Sequence, residues 1–303
     1  MSAASNPFAP SLHELNKERI TRRGRIITGL LALCLAVPVV LLLAVIFVEA
    51  MPVISLELIW GNATDKGRGG GLWGPLIGTF YLVITSVLIV SPLGVGAAIY
   101  LNEYAREGTA TRIIGLAVTS LAGVPSIVHA LFGLGAFVLF AGMGASVQAA
   151  ACTIAVMNLP VVIAASREAL GAVPRSFREA CWNLGASRWQ TIRTVVLPNA
   201  WSGILTGVIL AVSRAAGEAA PILFTGAVFF KHVPDSGLAR LLPYALDDTF
   251  MAMAMHLLVI STQVSNMPPE RPFAAAFVLV ALVLLINAAA IRMRMKLRNN
   301  RKW

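Results

Sequence analysis

Charged side chains are scarce in this sequence: aspartate, glutamate, lysine and arginine supply only 13% of its 303 residues, about half the share usual in soluble domains. Length alone would allow two soluble domains. A chain that is 57% hydrophobic with a mean hydropathy of +0.78, and whose uncharged runs reach membrane-spanning length, overrides that expectation. Cysteine is scarce as well. Cys34 and Cys152 fall inside apolar runs and Cys181 in a basic segment, with no CxxC pair and no metal-ligand spacing, which excludes a disulfide framework and a zinc site. The pattern GxxxxGK[ST] is absent, even from the glycine-rich run KGRGGGLWG at 66–74, so hydrolysis of ATP by the P-loop route is excluded and the run reads as a flexible outer loop. No basic patch interleaved with aromatics stands apart from the membrane flanks. The net charge of +10 therefore speaks for membrane orientation and not for nucleic acid. Nothing implies a cofactor or a bound metal.

What the sequence does have is a series of uncharged runs. A polar lead, 1–25, precedes the apolar stretch 26–48; both are too long for a cleaved signal peptide, and the stretch reads as a retained first anchor. A second run, 75–101, carries Pro92. From Ile113 to Ser166 there is no charge, and His129 alone interrupts the apolar character. One helix of that length would overshoot a bilayer core of about 30 Å more than twofold. The run is expected to be two spans, 113–141 and 147–165, turning at GMGAS (142–146). The fifth span is 201–229 and the sixth 273–291. The segment 250–264 is apolar but short and holds His256, so it is expected to be interfacial or re-entrant. The expectation is an all-α polytopic membrane protein of six helices, its core spanning 71–293.

Orientation follows from the lysines and arginines, which concentrate on the cytoplasmic side of membrane helices. With the N-terminus inside, eighteen of the 24 lie in 1–25, in the turn holding Arg106 and Arg112, in the loop 166–200, and in the tail from Arg292 that includes 294–303. Only Lys66, Arg68, Lys231, Arg240 and Arg271 lie outside, the last three in the external loop 230–272. Both termini are expected in the cytoplasm.

The inner loop 166–200 reads SREALGAVPRSFREACWNLGASRWQTIRTVVLPNA. Ser176 with Glu179, and Ser187 with Gln190, have the spacing of capping boxes. Gly185 suits the left-handed position that ends a helix, and Pro198 is expected to limit the second one. Two short helices hinged at a glycine suit docking against another protein. The pattern Glu179-Ala180-Cys181, Gly185, Val195, Leu197-Pro198 resembles the EAA loop of ABC-importer permeases, with Cys181 in place of an alanine and Val195 in place of an isoleucine. The stretches 78–105, 121–135 and 203–223 also resemble the PstA-type permease subunits of phosphate importers, His129 standing where an aromatic or aliphatic residue is expected.

That resemblance implies the type I ABC-importer (MetI-like) permease fold in a bacterial inner membrane. It implies alternating access coupled through Glu179, Ala180, Gly185, Leu197 and Pro198 to two PstB-type ATPase subunits. A second, PstC-type permease and an extracytoplasmic PstS-type phosphate-binding protein complete the implied assembly. No catalytic residue is implied. Another oxyanion or an organophosphate as cargo, and an ion-coupled carrier as mechanism, remain open alternatives.

Arg214 and Glu218 stand inside the fifth run, in SRAAGEAAP. A charge at the bilayer centre costs about 2.5–3.5 kcal/mol on insertion scales, so it usually marks a pathway. The pair is either a self-neutralising i,i+4 bridge or a station for an anion, and an anionic cargo gives the arginine its reason to be there. His129 reads as a packed, hydrogen-bonded histidine, and Asp247 and Asp248 as solvated acids. The topology makes a direct prediction: a reporter fused after Asn266 should be extracytoplasmic and one fused after Arg301 cytoplasmic. The same location for both would show the spans to be miscounted.

Overall fold

The structure, a computed structural model, describes residues 12–64 and 69–299. Helix α1 (Leu12–Ala50) takes up the polar lead from residue 12 as well as the expected first span. A short α2 (Leu56–Trp60) and a hairpin of β1 (Ala63–Thr64) and β2 (Gly69–Gly70) follow. Part of the glycine-rich run is therefore paired, while Lys66 and Arg68 lie outside the described residues. Helix α3 (Trp73–Ile99) continues into a π-helical turn, Tyr100–Tyr104. Next come α4 (Thr109–Ala122), α5 (Ser126–Gly133) with a π turn Leu134–Phe140, and α6 (Val147–Gly171). The cytoplasmic segment forms α7 (Arg175–Asn183) and α8 (Arg188–Thr191), and a π turn Ile192–Val196 leads into α9 (Leu197–Gly217). The rest is α10 (Ala220–Leu223), α11 (Leu238–Leu241), α12 (Met253–Thr262) and α13 (Glu270–Asn299).

Five of these helical stretches are long and apolar enough to cross a membrane, and α4 with the α5 stretch supplies a sixth as a pair bent by 104°. The expected span 113–141 is thus two helices. Gly123 and Pro125 break it: proline cannot donate to the helix, and it disfavours helical geometry at Val124 before it. The expected fifth span also differs, ending at Gly217 and not at 229. Pro221 has no N–H for the Gly217 carbonyl, four residues back, and its ring would collide with that carbonyl. Glu218 consequently takes extended geometry, φ −79° and ψ 128°.

Lipid tails are as apolar as leucine, so membrane helices are held together by close packing at small residues. The centre of the bundle shows this. A Cβ at Gly94 of α3 would lie 2.7 Å from Val162 of α6, and one at Gly207 of α9 would lie 2.6 Å from the Ala165 Cβ of α6. Around these crossings Val90, Ala155, Val162 and Ala211 form one buried cluster, and Ala98, Leu170, Val196 and Ile204 another nearer the cytoplasm. By contrast α1 is exposed along its apolar length and packs on α13, where Phe47 and Phe277 rings lie 5.6 Å apart.

The outer face is closed by the segment after α10. Val228 donates to the Phe250 carbonyl at 2.8 Å and Tyr244 to the Gly74 carbonyl at 3.1 Å. The Thr79 hydroxyl of α3 accepts from Met253 at 2.9 Å, which supplies a cap that α12 lacks in its own sequence. Helix α12 has 10 residues, about 15 Å and half a bilayer core. It is buried against its neighbours and does not cross. Overpacking tests the central crossing. Gly207→Leu should lower the melting temperature of the purified protein by about 5 °C, since forced repacking costs about 1–3 kcal/mol. Gly96→Leu, whose Cβ meets nothing within 4 Å, should leave it near wild type.

Candidate functional site

Two groups of residues are candidates for function, one at the cytoplasmic end of the bundle and one at the broken end of α9. At the first, α7 starts at Arg175 with Pro174 as its cap. The capping box expected of Ser176 and Glu179 does not form, because the helix opens two residues earlier, after Pro174, and leaves Ser176 inside the first turn. Its C-terminus is built as expected. Gly185 has φ +81°, Gly185 N–H donates to Trp182 O at 2.9 Å and Ala186 N–H to Cys181 O at 3.0 Å, the pair of bonds of a Schellman motif. The second box does form: Ser187 N–H donates to Gln190 Oε1 at 2.8 Å and Gln190 N–H to Ser187 Oγ at 3.2 Å. Pro198 does not stop the helix. It sits in the first turn of α9, where the π turn has already shifted the pairing and Asn199 Nδ2 donates to Val195 O at 2.8 Å.

Glu179, Ala180 and Gly185 are exposed on this segment, whereas Leu197 and Pro198 are half-buried at the root of α9. The structure therefore separates the five positions expected to couple to an ATPase into an outward-facing three and a pair that begins a span. Sequence reasoning missed four neighbours of that surface: Phe177, Trp182, Trp189 and Leu184, the last 89% exposed. Large apolar side chains grouped on a basic cytoplasmic loop have no core to join, and that is the mark of a protein–protein contact. Their presence in a loop otherwise full of arginine was the available signal. A recess of ≈510 Å³ opens beside them, with Arg106, Arg175, Glu179 and Arg188 in its walls.

At the second site Arg214 occupies the last turn of α9 and Glu218 is the first residue past it. Arg214 Nε donates to Glu218 Oε1 at 3.2 Å. Among the described residues no other hydrogen bond holds the guanidinium, and its side chain is 39% exposed. The carbonyl end of α9, its negative pole, favours a cation there. The extended geometry of Glu218 gives the pair a different relation from the same-face i,i+4 pair of a continuous helix. One residue earlier, the Ser213 hydroxyl donates to Ile209 O at 3.0 Å and pairs closely with Asn287 of α13, a polar link between spans that the apolar reading of both runs concealed.

His129 is buried and its Nδ1 lies 3.3 Å from the Pro125 carbonyl, while Nε2 has no partner among the described residues. Asp248 is not a free acid. Lys231 also donates to Thr249 O at 3.0 Å, and its hydrogen bond to the Asp248 carboxylate is the main reason that carboxyl is held below the ordinary range.

The family model of the binding-protein-dependent transport system inner membrane component matches residues 91–297. A probable ABC transporter permease protein of Bacillus subtilis, YqgI, is 34% identical over 278 residues, covering 88% of this chain and 93% of its own. The phosphate transport system permease protein PstA 1 of Mycobacterium tuberculosis is 34% identical over 267 residues, covering 85% and 83%. Among solved structures, a bacterial ABC transporter involved in alginate import gives a TM-score of 0.63 at 13% identity, over 93% of this chain and 99% of that one. The MetNI methionine ABC transporter gives 0.54 at 17%, over 75% and 94%. The fold is therefore that of type I ABC-importer permeases, in a multi-pass membrane protein.

A β-branched residue at Gly185 tests the turn of α7. A side chain in the left-handed conformation costs about 1–2 kcal/mol, roughly tenfold in the share of the docking-competent form. Gly185→Val should reach the membrane in normal amount and lose most transport by the assembled importer. Normal uptake would show that the shape of this turn is unimportant.

Proposed function

Since this chain belongs to the family of binding-protein-dependent transport system inner membrane components, we propose that it is the PstA-type permease subunit of an ATP-driven importer of inorganic phosphate. It forms the path with a second, PstC-type permease. Two PstB-type ATPase subunits receive α7 and its exposed apolar side chains, and a PstS-type binding protein delivers the anion from outside. The chain itself makes and breaks no covalent bonds. Relatives named as phosphate permeases support the cargo, and Arg214 carries the reading within the molecule: a partly exposed guanidinium, held on one edge only, at the end of a membrane helix.

A phosphate entering the bilayer must exchange water for other donors, and a guanidinium offers two parallel N–H groups that match two of its oxygens. A bare arginine would hold the anion too tightly for turnover. Glu218 competes for the same guanidinium, so the site releases what it binds. Because Glu218 lies beyond the last helical residue, its carboxylate can leave Arg214 by rotation of a non-helical backbone, without unwinding α9. Pro221 keeps that segment from rejoining the helix.

Proteoliposomes holding the four-component complex test this. ATP-driven phosphate uptake should persist when the proton gradient is collapsed, and excess phosphate should compete better than sulfate. Uptake that requires the gradient, or that sulfate suppresses more strongly, would overturn the mechanism or the cargo respectively. The two charges make unequal demands. Arg214→Gln should cut uptake below a tenth with the complex still assembled, whereas Glu218→Gln should slow turnover and retain phosphate-stimulated ATP hydrolysis. A double Gln variant transporting at the wild-type rate would reduce the pair to a structural bridge.

A further inference from the structure

Arg178 belongs to the coupling helix yet faces away from its exposed surface. It is 8% exposed, while Arg175, Phe177 and Glu179 around it are open. Its guanidinium is spent entirely inside the protein. Nε donates to Glu103 Oε2 at 3.1 Å and Nη2 to Glu103 Oε1 at 2.7 Å, a bidentate fork. Nη1 donates to Val173 O at 2.6 Å, and Nη2 also to Leu170 O at 2.9 Å. Glu103 lies in the π turn that ends α3, and its Oε1 takes a further bond from Asn102 Nδ2 at 2.7 Å. Leu170 and Val173 stand at the end of α6, where carbonyls lack helical partners and a cation is favoured. One side chain therefore ties α7 to the cytoplasmic ends of two spans.

The packing gives this tie its importance. Helix α7 packs against α8 and the π turn after it, and that pair runs on into α9 through continuous helix. Movement of α8 thus reaches Arg214 along the backbone. Helix α7 has no such continuity with α3 or α6, because the chain between α6 and α7 passes through the turn at Ala172–Pro174. Resting on the reading that α7 docks an ATPase subunit, we infer that Arg178 and Glu103 are positioning residues that transmit the displacement of α7 to α3 and α6. Those two spans then move as a unit while α9 moves through α8, with the Gly185 turn as the joint between the branches. A lysine at 178 would bring a point charge without the planar fork and could not hold the carboxylate and both carbonyls together. A glutamine at 103 would turn an amide N–H₂ toward a guanidinium that also donates.

The assembled four-component complex, reconstituted with wild-type partners, decides this. Glu103→Gln and Arg178→Lys should assemble in normal amount and hydrolyse ATP within twofold of wild type. Phosphate moved per ATP hydrolysed should fall at least fivefold. If Arg178→Lys fails to assemble, Glu103→Gln alone decides, since it leaves the bonds to Leu170 and Val173 in place. A wild-type ratio of uptake to hydrolysis in Glu103→Gln, including a case where both rates fall in parallel with assembly, overturns the transmission role. Failure of the wild-type complex to couple uptake to ATP at all would instead overturn the importer reading on which this inference rests.

Discussion

In a bilayer core there is no water to pair with an open N–H or C=O, so every backbone group within it must find its partner inside the protein. This single requirement turns a chain with so few charges into a bundle of long helices, and it makes any interruption of a helix expensive. The interruptions that persist are therefore informative. Proline and glycine break the third crossing at Gly123 and Pro125, and Pro221 ends the fifth at Gly217. Near the cytoplasm two spans widen into π turns, at Tyr100–Tyr104 and Ile192–Val196.

Each of the last three sits beside an element to which the proposal gives a role. The end of α9 carries Arg214 and Glu218 where backbone rotation is free to part them. The π turn of α3 carries Glu103, gripped by α7 through Arg178. The π turn before α9 absorbs Pro198 and keeps α8 joined to the span that bears Arg214. Between these places the helices are locked by small residues, with Gly94 and Gly207 pressed against Val162 and Ala165. On the proposed reading, a rigid middle with adjustable ends would convert movement at the cytoplasmic face into a change around Arg214.

Much of this was legible in the sequence, because hydropathy and basic flanks report the bilayer constraint directly. The apolar runs behind the spans, the Schellman turn at Gly185 and the capping box of Ser187 with Gln190 all follow from local chemistry, whereas the break at Gly123–Pro125 and the early end of the fifth span do not. The misreadings arose where local and longer-range effects compete. Pro198 was expected to stop a helix and does not, since at a first turn its missing N–H removes little. The fifth span was expected to run to 229, but Pro221 ends it early because its ring and missing N–H conflict with the Gly217 carbonyl four residues back. The Glu103–Arg178 fork and the Ser213–Asn287 link join residues 75 and 74 positions apart, and no periodicity in one chain reveals such pairs. Arg178 lies among the basic residues of the inner loop 166–200, a setting that hides its burial.

Alternating access at Arg214 requires the broken end of α9 to face each side of the membrane in turn. Gly217, between Arg214 and Glu218, is exposed, and a Cβ there meets nothing within 4 Å. A Gly217→Cys variant lacking Cys34, Cys152 and Cys181 therefore offers a non-perturbing probe. In the reconstituted complex an impermeant thiol reagent should label it from one side with ATP bound and from the opposite side without nucleotide. Labelling from the same side in both states would contradict alternating access at Arg214.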